Sequence, residues 1–102
     1  MSRPSDQKPW TFVTSHTQVL LCIARDPEVR LRDVAATVGI TERAAQRILA
    51  DLAGAGYVER TRVGRRNRYT INGTTAMRHT AQRGHEIGEL LDLLKPAPPE
   101  PN

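Results

Sequence analysis

A single cysteine, Cys22, closes the chain to any disulfide framework and points to a reducing compartment. Long hydrophobic runs are missing too. The longest, Val19 to Ala24, is far too short to span a bilayer, and the opening MSRPSDQKPW holds no apolar signal-peptide core. Metal-ligand patterns are absent, since His16, His79, His85 and Cys22 fall into no zinc spacing. His85 and Glu89 would share a helix face, but two ligands do not make a site. No glycine-rich phosphate loop, no G-x-S-x-G and no H-E-x-x-H occurs, so neither an enzyme nor a cofactor is expected. Ser15 and His16 are neighbours at a helix start, which is capping chemistry and not a nucleophile pair. With no basic neighbour read on its helix, Cys22 has no reason for a low pKa and reads as a small core residue. The expectation these absences leave is a soluble, non-catalytic protein of the cytoplasm.

At 102 residues the chain has room for one domain. The polar ends, 1–9 and the proline-rich 96–102, have little to bury and are expected to stay mobile. What remains makes a modest core, for which a dimer partner would be a natural supplement. Lysine is nearly absent: of 15 basic residues only Lys8 and Lys95 are lysine. The arginine fork binds phosphate and guanine bidentately, so this bias fits nucleic acid better than simple solubility. The arginines are also unevenly placed. From Arg30 to Thr70 nine arginines face four acids, whereas Arg83 to Leu94 holds one arginine and three acids. One basic end and one acidic end suit a molecule that meets a polyanion with a single face.

The chain is organised around Leu31 to Leu52, LRDVAATVGITERAAQRILADL. The spacing predicts a short helix over about 32–38, with Val34, Ala35 and Val38 inward. Gly39 then stands where a left-handed helix end carries no steric penalty. Thr41 can cap a second helix by accepting an orphan amide, and Ala44, Ile48 and Leu52 predict its buried stripe. Glu42, Arg43, Gln46 and Arg47 are left outward in its first two turns, and the guanidinium and amide groups among them suit base edges in a major groove. Short helix, glycine turn and amphipathic helix make a helix-turn-helix pattern, against which stands a helical hairpin of some unrelated domain.

Before it, Trp10, Phe12 and Val13 form an apolar island holding half of the four aromatics, expected to dock on the body. Ser15 with Gln18 predicts a capping box opening a helix over about 15–25, closed by Asp26-Pro27. Val19, Leu20 and Ile23 face the core. With Leu21 and Cys22 on other sides, this helix is either central or touches a second chain. Arg30-Leu31 is read as a possible very short strand. Gly56 is the expected left-handed cap of the second helix-turn-helix member. Tyr57 to Ile71 predicts a β-hairpin about Gly64-Arg65-Arg66-Asn67. Five arginines and no acid fall between Arg60 and Arg68. As a wing, such a hairpin would lay Arg62, Arg65, Arg66, Asn67 and Arg68 along a backbone or into a minor groove; otherwise it is a solvated charged loop. A last helix is expected from Thr75 or Thr80 to before Pro96, with a stripe of Ile87, Leu90, Leu91 and Leu94. Gly84 and Gly88, four apart, would admit a close partner helix. This surface, with Leu21, is the expected dimer contact, unless it packs on the chain's own core.

Taken together, TERAAQRILADLAGAGYVERTRVGRRNRYTI resembles bacterial winged helix-turn-helix regulators of the MarR/ArsR type, and with WTF and HTQVLLCIARDP ahead of it looks like their short actinobacterial members. The resemblance covers about Trp10 to Leu94. It implies an α+β, mainly α fold: a three-helix core, a hairpin wing and a C-terminal helix, with 10–74 as the DNA-binding domain and 75–95 as the dimerising helix. It also implies a homodimer on double-stranded DNA, usually a repressor and so nucleoid-associated. Thr41, Glu42, Arg43, Gln46 and Arg47 would form the reading face, with Arg65 and Arg66 at the wing tip; Arg32 is a further expected DNA-binding residue. The chain departs from MarR proteins in having room for only one helix after the wing, and from metal-sensing ArsR proteins in lacking their cysteine pairs and His/Asp clusters. Operator and effector are not implied. A winged-helix module that recognises a protein is the alternative.

Overall fold

The computed structural model describes residues 10–95; both tails lie outside them. Helix α1 runs Ser15–Arg25, α2 Leu31–Val38 and α3 Glu42–Gly54, followed by strands β1 Val58–Val63 and β2 Arg66–Ile71 and a final helix α4 Ile87–Leu94. Helix α1 is the central member, packed on α2, α3, α4 and β2. Its Val19, Leu20 and Ile23 are sealed from solvent and Cys22 is buried beside them, while Leu21 is half-buried. The cap is Thr14 and not Ser15: the Thr14 hydroxyl accepts from the Thr17 amide at 3.4 Å, and Ser15 becomes the first helical residue. The aromatic island does not dock. Trp10 and Phe12 are 77% and 93% exposed and stack edge-on against each other, since α1 is already covered by the other elements.

The helix-turn-helix forms as its glycine and threonine demand. Gly39 adopts φ +85° and its amide closes on Ala35 O, ending α2. Thr41 Oγ1 then accepts from the Ala44 amide at 3.0 Å, opening α3. The buried stripe of α3 is Ala45, Ile48, Leu49 and Leu52, an i, i+3, i+4, i+7 set; Ala44 lies at its half-buried margin and is not part of it. No strand forms at Arg30-Leu31, because Leu31 already belongs to α2. Instead the Pro27 carbonyl accepts from the Tyr69 amide at 2.9 Å, fastening the α1–α2 loop to β2.

Gly56 takes φ +86° and turns the chain out of α3 into the hairpin. Its carbonyl accepts from both the Asn72 side chain at 2.9 Å and Thr75 Oγ1 at 3.0 Å. Strands β1 and β2 pair antiparallel from Val58 opposite Ile71 to Val63 opposite Arg66. Only Gly64 and Arg65 remain for the turn, with Gly64 at φ +62°, as a type II′ hairpin requires of its first central residue. Arg66 and Asn67 therefore sit in β2 and not in the turn. Val58 and Tyr69 anchor the hairpin base in the core.

The last helix is shorter than its apolar pattern implies. One 3-10 turn covers Thr80–Gln82, Gly84 at φ +88° breaks the chain, and α4 begins only at Ile87. Its inner residues Ile87 and Leu91 are buried in the chain's own core, which corrects their expected place in a dimer contact. Gly84 and Gly88 do not share a helix. Gly88 serves an internal approach: its amide donates to Gly73 O at 2.8 Å, and a Cβ there would lie 2.9 Å from that oxygen. Gly88→Ala, which in an open helix would gain roughly 1 kcal/mol, is expected here to lose about 1–2 kcal/mol and lower Tm. A raised Tm would contradict this packing.

The Glu89 carboxylate braces the start of α4. It accepts from the Glu86 amide at 2.9 Å and lies 3.0 Å from His85 Nδ1. The Glu86 amide first, and then His85, hold its pKa below the usual carboxylate value. A depressed folded pKa adds stability that is complete above the usual value and lost as pH falls through the depressed one. The acid limb of thermal unfolding should therefore flatten in Glu89→Gln, and an unchanged limb would assign acid sensitivity elsewhere.

Candidate nucleic-acid interface

Helix α3 buries one side and presents the other. Thr41, Glu42, Arg43, Gln46 and Arg47 are all exposed, as is Arg32 on α2. With Ala45, Ile48, Leu49 and Leu52 inward, the helical period places Arg43 and Arg47 on the directly opposite face and Gln46 between that face and the hairpin. Glu42 lies in the first turn, where a carboxylate is favourable to the helix dipole.

The hairpin stands beside this helix. A crevice of about 1070 Å³ separates them. Gln46, Leu49, Ala50 and Ala53 of α3 form one wall, while Arg60, Arg65, Arg66 and Asn67 of the hairpin form the other. Glu28, Val29, Arg30 and Leu31 also line it, as do Val58, Glu59 and Tyr69. The structure thus brings together Gln46 of the expected reading face and Arg65, Arg66 and Asn67 of the expected wing. Arg43, Arg47, Arg32 and Arg62 lie outside the crevice lining. Arg62 instead donates to the Gly64 carbonyl at 3.3 Å and braces the turn. Arg68 is the one wing arginine in an ion pair among the described residues, 3.3 Å from Glu28.

Two crevice arginines, Arg30 and Arg60, were not among the expected contacts. Strand alternation was a usable signal for Arg60, since it shares a face with Val58 and stands opposite buried Tyr69. Arg30 carried none, because its position depends on how the α1–α2 loop meets β2. The surface pair His16–Asp51, 3.0 Å apart between α1 and α3, also had no local signal.

Elsewhere the chemistry is quiet. Burial pushes the Cys22 thiol up, and Arg25 on the same helix pulls it down by less, so a basic neighbour does exist but is outweighed. Among the described residues no three His, Cys, Asp or Glu side chains gather as a metal site would need. No helix among them is long and apolar enough to cross a membrane.

A helix-turn-helix with an exposed arginine-bearing second helix and a hairpin beside it has the frame of a winged-helix DNA-binding domain. Comparison with family models agrees: that of the MarR family matches residues 12–68, from ahead of α1 into β2. The chain belongs to the MarR family. The matched region ends in β2, so α4 lies beyond it. MarR proteins are regulators and not enzymes, and they bind DNA, typically as dimers. The class of this chain is accordingly that of DNA-binding transcription regulators. Comparisons with curated proteins and with solved structures give no significant match.

Proposed function

We propose that this MarR-family protein is a sequence-specific repressor that binds double-stranded DNA as a homodimer. Helix α3 enters the major groove, where Arg43 meets guanine and Gln46 adenine, flanked by Thr41, Glu42 and Arg47. Arg32 and the wing residues Arg62, Arg65, Arg66 and Asn67 supply backbone or minor-groove contacts, with Arg68 held toward Glu28. The observation that carries this reading is the shared crevice: Gln46 of α3 and three polar residues of the hairpin tip border one concavity. A helix and a hairpin so placed meet one duplex together.

Two copies would set their α3 helices on one face of the duplex, at half-sites about 10 bp apart or a multiple. The dimer is supported by the habit of the family and by apolar surface left over after folding. Leu93 is 79% exposed on α4, and Leu21, Leu90 and Leu94 are only half-buried. Repression is the usual mode of the regulators this chain resembles. Capture of genomic fragments by the purified protein, followed by sequencing, tests the reading. One enriched motif with twofold symmetry is expected. Sequence-blind capture, or none, would contradict it and leave a protein-recognition module as the better account.

A further inference from the structure

We infer that Arg30 and Arg60 seat the sugar–phosphate strand that passes between α3 and the hairpin. The inference rests on the DNA reading above and adds two residues and a role to it. In duplex DNA a major groove and its neighbouring minor groove are separated by one backbone strand. If α3 occupies the first and the hairpin tip the second, that strand must run through the space between them. That space is the crevice, and its cations then face phosphates instead of base edges.

Four arginines border it, Arg65 and Arg66 at the hairpin tip, Arg60 farther along β1 and Arg30 ahead of α2, against two carboxylates, Glu59 and the Arg68-paired Glu28. Arg60 is fixed there by strand register. It stands opposite Tyr69 and on the same side as Val58, both buried, so its side chain leaves the hairpin where the core face meets solvent. Arg30 is placed by the backbone ahead of α2, in extended conformation at φ −80°, ψ 148°. Both are exposed, and among the described residues neither is held in an ion pair. The four arginines outnumber the two carboxylates of the lining, and a phosphate strand offsets that excess of positive charge. Contacts of this kind position the protein and carry no sequence information.

The test is equilibrium binding of the full chain to two duplexes, the enriched site and a scrambled one of equal composition, across a series of KCl concentrations. Arg30→Ala and Arg60→Ala should each reduce the magnitude of the salt slope by about 0.9 and weaken both duplexes by the same factor, roughly 5-fold near 0.15 M salt. Arg30→Lys and Arg60→Lys keep the point charge and should restore the slope. Arg83→Ala removes an equal charge from the loop before α4, outside the crevice, and should leave the slope as it was. Alanine variants that behave like Arg83→Ala, or that weaken the enriched site alone, overturn the assignment. Failure of the wild type to bind either duplex overturns the DNA reading as well. A wild type that binds and responds at Arg43 and Arg65, but not at Arg30 or Arg60, overturns this inference only.

Discussion

Arg43→Ala is expected to cost the enriched site about 1–3 kcal/mol of binding free energy and to relax selectivity at one base position. The reason lies in where α3 puts this side chain. Arg43 is exposed and projects opposite the buried stripe, in the first turn of the helix. Its loss therefore leaves Tm unchanged while removing a bidentate donor whose value depends on the base beneath it. On a scrambled duplex only the charge is lost, so the decrease there should be smaller. Equal losses on both duplexes would reassign Arg43 to the backbone.

The wing predicts a different signature. Arg65→Ala combined with Arg66→Ala removes two adjacent cations from the crevice rim, one in the turn and one at the start of β2. All duplexes should weaken alike, roughly 30-fold near 0.15 M salt, with a slope less steep by about 1.8. The hairpin itself survives, because Gly64 makes the turn and Val58 and Tyr69 hold the base. A double variant with full affinity and an unchanged slope would remove the wing from the interface.

Much of this arrangement was legible in the chain because it is fixed locally. Gly39, Thr41, Gly56 and Gly64 each stand where one backbone conformation or one cap is needed, and each does that work in the structure. Where the structure departs from the local pattern, tertiary packing has chosen between locally equivalent options. Thr14 and Ser15 are both good caps, and the entry of the chain into α1 selects Thr14. Ala44 and Ala45 are alike in size, and the direction of the core selects Ala45. The apolar stripe of the last helix does not show that Gly84 would break the chain ahead of it, nor that Gly88 would be needed against Gly73. The crevice is bordered by a long-range contact, Tyr69 to Pro27, so Arg30 and Arg60 are the least visible of its lining residues in the sequence.

Groove occupancy can be read directly with a DNA-cleaving reagent tethered to single cysteines. On a Cys22→Ala background, Gln46→Cys would report from α3 and Arg65→Cys from the hairpin tip. If α3 and the hairpin grip one duplex side by side, cuts from position 46 centre on a major groove. Cuts from position 65 then fall in the neighbouring minor groove, about half a helical turn, roughly 5 bp, away. Cuts from only one of the two positions, or from both in the same groove, would contradict it.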